Sequence, residues 1–411
     1  MRILTVPAKA SVKGPSLILL LCLTPVLRAA DFHVPQPWRQ EAVVEGRDEP
    51  YNSERFLNEL SFRHQHPPGP TQEGIRGTAG STRSNRLFMD FRFYRDFAFD
   101  NEQQGFLLDI QRSEDLDGAF DRQLVGFRHT LNNGTDLRLQ GDVFQEKALS
   151  DVYLAARHHL TNDDWLEAAW IMPDAYFNSK TETGDELVTK PQSLFLQWHR
   201  APRGALFDQG STLSVTVSPD SELVSQSAGL TVKSQSVKAA VTQSFLYQQA
   251  LLNVNGRGEY TRRNFELQEG GTPEFERDYL EFQAELAPSG LRLSPKLGLS
   301  GVYLDETGYF GRSIDNTGSV RRREATVFGS VSFQLTQRTA LAPELYLGAG
   351  DIRQRLQGDP GENHSGFIGK AAFPLNIVLS ERDNATLTLN PTFYLHKSNF
   401  GGGNLQLHWP M

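Results

Sequence analysis

The sequence predicts an all-β fold: a transmembrane, antiparallel, up-and-down β-barrel of about 16–18 strands behind a mostly irregular N-terminal extension. Three observations point there. Apolar and polar residues alternate, segment after segment, from about Arg86 to Trp409. The 411-residue chain is only 38% hydrophobic with a mean hydropathy of −0.43, too polar for a helical membrane protein yet normal where every second strand residue faces lipid. And the chain opens on a segment patterned for export, beyond which no apolar run reaches the roughly 18 residues of a spanning helix.

The export segment is read over residues 1–30. Arg2, Lys9 and Lys13 supply the positive start, Ser16 to Leu27 the apolar core, and Leu27-Arg28-Ala29-Ala30 a small-residue cleavage site ahead of Asp31. The core holds the only cysteine, Cys22, with Leu21 before it where a lipid-anchored export signal carries a small residue. The mature chain is therefore expected to have no disulfide and no thiol chemistry. Cleavage removes Arg2, Lys9, Lys13 and Arg28 from 41 basic residues and none of the 49 acidic ones, which deepens the net charge from −8 to −12. That charge argues against nucleic acid as a partner.

Residues 31–85 form the second region. Prolines at 35, 37, 50, 67, 68 and 70 and the stretch Gly77-Thr78-Ala79-Gly80-Ser81-Thr82 replace alternation. Ser53–Leu60 carries one short helical pattern, with Ser53 as cap and Phe56, Leu57 and Leu60 on one side. The region is expected to trail in the periplasm, to contact a periplasmic partner there, or to fold into the barrel as a plug.

Residues 86–411 are assigned to the barrel. Side chains on a strand point to opposite faces in turn, so alternation writes one apolar and one polar face. Leu87, Met89, Phe91 and Phe93 oppose Asp90, Arg92 and Tyr94; Leu137, Leu139 and Val143 oppose Asp136, Arg138, Gln140 and Asp142. Leu194, Leu196 and Trp198 oppose Phe195, Gln197 and His199; Val237, Ala239 and Val241 oppose Lys238 and Thr242. Leu280, Phe282, Ala284 and Leu286 oppose Glu281, Gln283 and Glu285. In Ala325–Leu335 the apolar parity is broken only by Phe328. Asn132-Asn133-Gly134 is a tight-hairpin sequence, and Thr161–Asp164, Pro219-Asp220-Ser221 and Pro288-Ser289-Gly290 are further turn signals. Longer polar connections are expected near 178–190, 262–277, 305–321 and 352–363. Tryptophans and other aromatics, among them Trp165, Trp170, Trp198, Tyr303, Phe333, Phe393 and Trp409, are placed on the lipid face or at strand ends as interfacial girdles.

The chain ends Asn404-Leu405-Gln406-Leu407-His408-Trp409, followed by Pro410 and Met411. Alternation closing on an aromatic resembles the terminal strand of Gram-negative outer-membrane β-barrels of the porin-like class, displaced here by two residues. The resemblance covers about 80% of the chain and implies a place in the bacterial outer membrane, contact with outer-membrane lipid and insertion by the barrel-assembly machinery. An outer apolar face fits lipid or a second copy of the barrel, so a homo-oligomer stays open. A soluble β-sandwich uses similar strands; a propeller would show a repeat of roughly 40–50 residues, which is absent.

Chemistry is sparse. His364 and Ser365 are adjacent and so fall on opposite faces, unlike the His/Ser pair two residues apart of barrel phospholipases. Arg63-His64-Gln65-His66 has metal-ligand spacing but no third ligand nearby. No phosphate loop, nucleophile elbow or zinc-protease helix is present, so neither an enzyme, a metal nor a cofactor is expected. The register places Asp90, Arg92, Arg138, Asp142, Arg157, His159, Lys238, Glu281 and Glu285 toward the lumen as pore-lining residues. The expected function is a porin-like channel for passive diffusion of small hydrophilic solutes; the alternative is an export or assembly component, for instance for a polysaccharide, that uses residues 31–85 to hold a periplasmic partner.

Overall fold

The computed structural model describes residues 73–411, except 84–85, 100–102, 116–117, 143–149, 162–163, 173–174, 177–185, 201–209, 227–228, 248–249, 289–293, 310–316, 357–362 and 397–398. The export segment, the 53–60 helix and the 63–66 histidines fall outside the described residues. The strands run β1 (Gly74–Arg83), β2 (Arg86–Ala98), β3 (Gln104–Asp115), β4 (Gly118–Thr130), β5 (Thr135–Asp142), β6 (Val152–His159) and β7 (Trp165–Met172). They continue as β8 (Glu186–Thr189), β9 (Ser193–Arg200), β10 (Ser211–Ser225), β11 (Leu230–Tyr247), β12 (Ala250–Leu267), β13 (Glu274–Pro288), β14 (Lys296–Tyr309) and β15 (Thr317–Ser330). The last are β16 (Phe333–Thr336), β17 (Thr339–Leu341), β18 (Glu344–Leu356), β19 (Asn363–Ala372), β20 (Leu375–Ser380), β21 (Ala385–Tyr394) and β22 (Asn399–Pro410).

These segments close into one antiparallel barrel of 18 strands. Four strands are interrupted. β8 and β9 both pair with β10, and the small β16–β17 hairpin continues β15 and β18 past their ends. β20 likewise continues β19, since both pair with β21. Closure is made by β1 against β22, from Gly74↔Pro410 to Ser81↔Gly403. Every central backbone donor and acceptor thus has a neighbour, the condition for strands to cross a bilayer.

The barrel begins at Gly74, ahead of the Arg86 boundary read from the sequence. The Gly/Ser/Thr-rich stretch lacks an apolar stripe, so pattern alone leaves it irregular; in the structure it is β1, held by backbone pairing on both sides to β2 and β22. Its small residues suit a seam where pairing matters more than side-chain burial.

The two faces separate as the alternation requires. Leu137, Leu139, Leu194, Leu196, Leu280, Phe282, Leu297, Leu299 and Val327 are exposed on the outside. Arg92, Asp109, Gln140, Asp142, Glu167, Gln197, Glu281 and Glu324 are buried on the inside. Phe328, the one break in its parity, faces inward and stacks on Tyr346 at 5.2 Å. Room for it comes from Gly298: a Cβ there would lie 2.2 Å from the Phe328 ring.

Two expectations about connections change. Among the described residues the 262–277 and 305–321 stretches are largely strand, broken only at 268–273 between β12 and β13. β11 and β12 each run 18 residues, longer than the band of apolar outward residues, so their ends away from Gly74 and Pro410, with those of β13–β15 and β18, stand beyond it as a polar collar. Charge made these segments look like loops, but a strand that has left the hydrocarbon no longer needs apolar residues outside. Pro219-Asp220-Ser221 is likewise no turn: it is a bulge inside β10, where register shifts between Ser218 and Ser221. The Asn-Gly hairpin at 131–135 stands as expected. Gly134 sits at φ +75°, Leu131 N–H donates to the Thr135 carbonyl at 2.8 Å, and Thr135 N–H donates to Asn133 Oδ1 at 3.1 Å.

Candidate functional site: the charged inner wall

The inner wall carries two networks of ionised side chains. The first crosses β2 to β7. Arg92 grips Asp109 with Nε at 2.9 Å and Nη2 at 2.6 Å, and Gln111 Nε2 donates to the same carboxylate at 3.2 Å. Arg128 and Arg138 stand directly opposite in register, a repulsive pairing unless each is neutralised. Arg128 is drawn to Asp96 at 2.6 Å; Arg138 lies 3.6 Å from Asp136 and 3.5 Å from Glu167. Asp136 also accepts from Thr130 Oγ1 at 2.7 Å and meets His159 Nε2 at 3.2 Å. Glu167 is matched in register to Arg157, whose Nε donates to it at 2.8 Å. The Arg157 guanidinium lies 4.4 Å over Trp165, which stacks on His199 at 5.0 Å.

The second network crosses β11 to β15. Lys238 faces Glu259 in register at 3.6 Å, and Arg277 joins Glu259 at 3.7 Å to Glu306 at 2.6 Å. Arg257 faces Glu281 in register at 2.8 Å; its Nη2 also donates to the Tyr279 hydroxyl at 2.9 Å, and that hydroxyl donates to Glu281 at 2.5 Å. Glu285 pairs with Lys296 at 3.1 Å, and Arg322 bonds Glu324. Opposite charges at cross-strand positions hold the wall through side chains while the ladder holds it through the backbone. At the end that carries Gly74 and Pro410, Glu73 pairs with Arg95 at 3.2 Å, and partial burial pushes its carboxyl above the usual range.

Arg92, Arg138, Asp142, Arg157, His159, Lys238, Glu281 and Glu285 all stand on the inner face. Asp142 accepts from Gln123 N–H at 3.2 Å. Asp90 pairs through its backbone with Thr78 and Ser113, and its side chain is outside the described residues. Trp165 opens β7, at a strand end as expected, but faces inward beneath Arg157 rather than out to the interface, because β7 carries Glu167 and Ile171 on the same parity while Leu166 and Trp170 face out. Sequence reasoning passed over Asp109, Arg128, Glu167, Arg257, Glu259, Arg277 and Glu306. Asp109, Arg128, Glu167, Arg257 and Glu259 lie in segments whose alternation is weak, and Arg277 and Glu306 in stretches read as loop.

Apolar side chains also face inward, most of them toward the end opposite Gly74 and Pro410. Leu124, Tyr153, Ile171 and Phe195 form one buried cluster on β4 to β9. Leu187, Leu223, Val232, Phe265, Phe275 and Val320 form another on β8 to β15. Charge and apolar groups meet on the wall: Val320 of the second cluster stands in register with Glu306, and Phe328, Tyr346 and Ile368 form a third inward cluster.

A closed barrel with an apolar outside and an ion-paired inside defines a membrane-spanning β-barrel of the outer-membrane type. Among solved structures the chain is similar to Pseudomonas aeruginosa OccK2 (OpdF), at 13% identity and a TM-score of 0.42 over 81% of this chain and 96% of that one. It is similar also to a BenF-like porin from Pseudomonas fluorescens Pf-5 (11%, TM-score 0.42, 82% and 97%) and to an anion-selective porin from Comamonas acidovorans (10%, 0.37, 81% and 97%). No protein-family model and no curated protein matches the sequence.

Proposed function

We propose that the protein is a porin-like outer-membrane channel through which small hydrophilic solutes diffuse passively. The observation that carries this reading is the inner wall of an 18-stranded barrel, where Arg92, Arg128, Arg138, Arg157, Lys238, Arg257 and Arg277 are each matched by a carboxylate. Barrels of about 16–18 strands enclose an aqueous lumen, and such a wall favours water and polar solutes over lipid. Because the charges are matched, the channel discriminates weakly between small cations and anions. Asp90, Arg92, Arg138, Asp142, Arg157, His159, Lys238, Glu281 and Glu285 are its pore-lining residues.

Liposome swelling tests the reading. Vesicles carrying the purified full chain should swell in iso-osmotic monosaccharide and more slowly as the sugar grows. No swelling with any solute, from protein that shows the heat-modifiable gel mobility of a folded barrel, would refute the channel and favour a scaffolding or export role.

A further inference from the structure

On the outer surface of β15 and β18, four arginines come together just beyond the apolar band. Arg321, Arg323, Arg353 and Arg355 all face outward and are exposed. Arg321 pairs in register with Arg353, and Ser319 with Arg355, so the four occupy a patch about one strand spacing wide. Two carboxylates reach them: Asp305 binds Arg321 at 2.9 Å and Asp351 binds Arg353 at 3.1 Å. The patch is therefore net positive by two on a chain whose net charge is −8. Farther round the collar, outward charges are mixed: Glu274, Glu276 and Asp278 on β13 stand beside Arg262 on β12, which pairs with Glu274 at 3.1 Å.

The level of the patch fixes its surroundings. Along β15 the next outward residues are Ala325 and Val327; along β18 they are Ala349, Leu347 and Leu345; and Phe367 is exposed beside them on β19. Tyr303 lies under Arg323 at 5.6 Å. Aromatics over an aliphatic band mark the membrane interface, so the arginines sit at headgroup height. Outward Ser319, Asn363 and Ser365 add hydroxyl and amide groups around them.

From this juxtaposition we propose that the β15–β18 face binds the phosphorylated headgroup of an outer-leaflet glycolipid. A guanidinium offers paired N–H donors that match phosphate oxygens, and clustered arginines at a membrane surface select anionic headgroups. The neighbouring hydroxyl and amide groups suit a sugar, and Leu345, Leu347 and Val327 continue the site along the acyl chains. The proposal rests on the membrane reading above, with the collar end, opposite Gly74 and Pro410, facing outside.

The test uses full-length protein refolded in detergent and diphosphoryl lipid A as probe, with binding followed by native mass spectrometry. Wild type should retain lipid A. The variant R321Q/R323Q/R353Q/R355Q, checked for heat-modifiable mobility, should bind it roughly tenfold more weakly, the sum of four modest exposed charge contacts. The milder R353Q/R355Q should lose part of this affinity if the quadruple variant does not fold. Undiminished binding by a folded variant would overturn the proposal. So would equal retention of phosphatidylglycerol, or full competition by millimolar inorganic phosphate, which would mark a lipid-independent phosphate site. Because Cys22 is the only cysteine in the chain, T317C reports the collar's side in whole cells. Labelling of intact cells supports an outer-leaflet ligand; labelling only after permeabilisation would overturn it and leave the channel reading standing.

Discussion

Replacing Glu167 with glutamine probes the inner wall at its most loaded point. The carboxylate is 1% exposed and is shared by Arg157 at 2.8 Å and Arg138 at 3.5 Å. At an effective dielectric of about 20, each contact is worth roughly 5 kcal/mol in gross attraction, and desolvation of all three groups offsets most of it. The variant loses the attraction but keeps two buried guanidinium groups, so the net cost should be about 3 kcal/mol, the usual penalty of a stranded buried charge. Reversible guanidinium unfolding in lipid vesicles, followed by tryptophan fluorescence, measures it. E167Q/R157Q restores the charge balance and should recover about half of the loss, a coupling that a double-mutant cycle isolates. A loss below about 1 kcal/mol, or strictly additive single variants, would refute the picture of a wall held by buried ion pairs.

Other perturbations follow from the same geometry. G298A places a methyl group against the Phe328 ring and should cost about 1–3 kcal/mol, read as a lower temperature of the gel-mobility shift; G298A/F328A should regain part of it. W409D puts a charge on the lipid face at the β1–β22 seam, beside Ile75, and should cut the folded fraction in vesicles, whereas W409F should not. E281Q removes a negative charge from the Arg257–Tyr279 cluster and should move the zero-current potential in a salt gradient toward anion preference.

Much of the barrel was legible because lipid imposes a period of two. Leu280, Phe282, Ala284 and Leu286 could lie only outside, which sent Glu281 and Glu285 inside. Phe328 stood out in the sequence as a break in parity, and the structure supplies the reason in the space left by Gly298. What pattern could not show was where lipid ends. Past the hydrocarbon, charged residues occupy both faces, so the outer halves of β12 to β15 read as loops and hid Arg277 and Glu306 from the candidate wall. β1 was missed for the opposite reason: its small residues mark neither face, and only pairing with Trp409 and Leu407 on one side and Phe93 and Phe91 on the other makes it a strand. Nor could a single strand reveal that Arg157 and Arg138 share Glu167, because that contact spans three strands whose register is set by the closed sheet.

The most direct test of the channel is single-channel recording of the full chain in planar bilayers. A steady open conductance that scales with salt concentration, with a zero-current potential near zero in a salt gradient, is the predicted result. Insertion as a folded barrel without measurable conductance would contradict it.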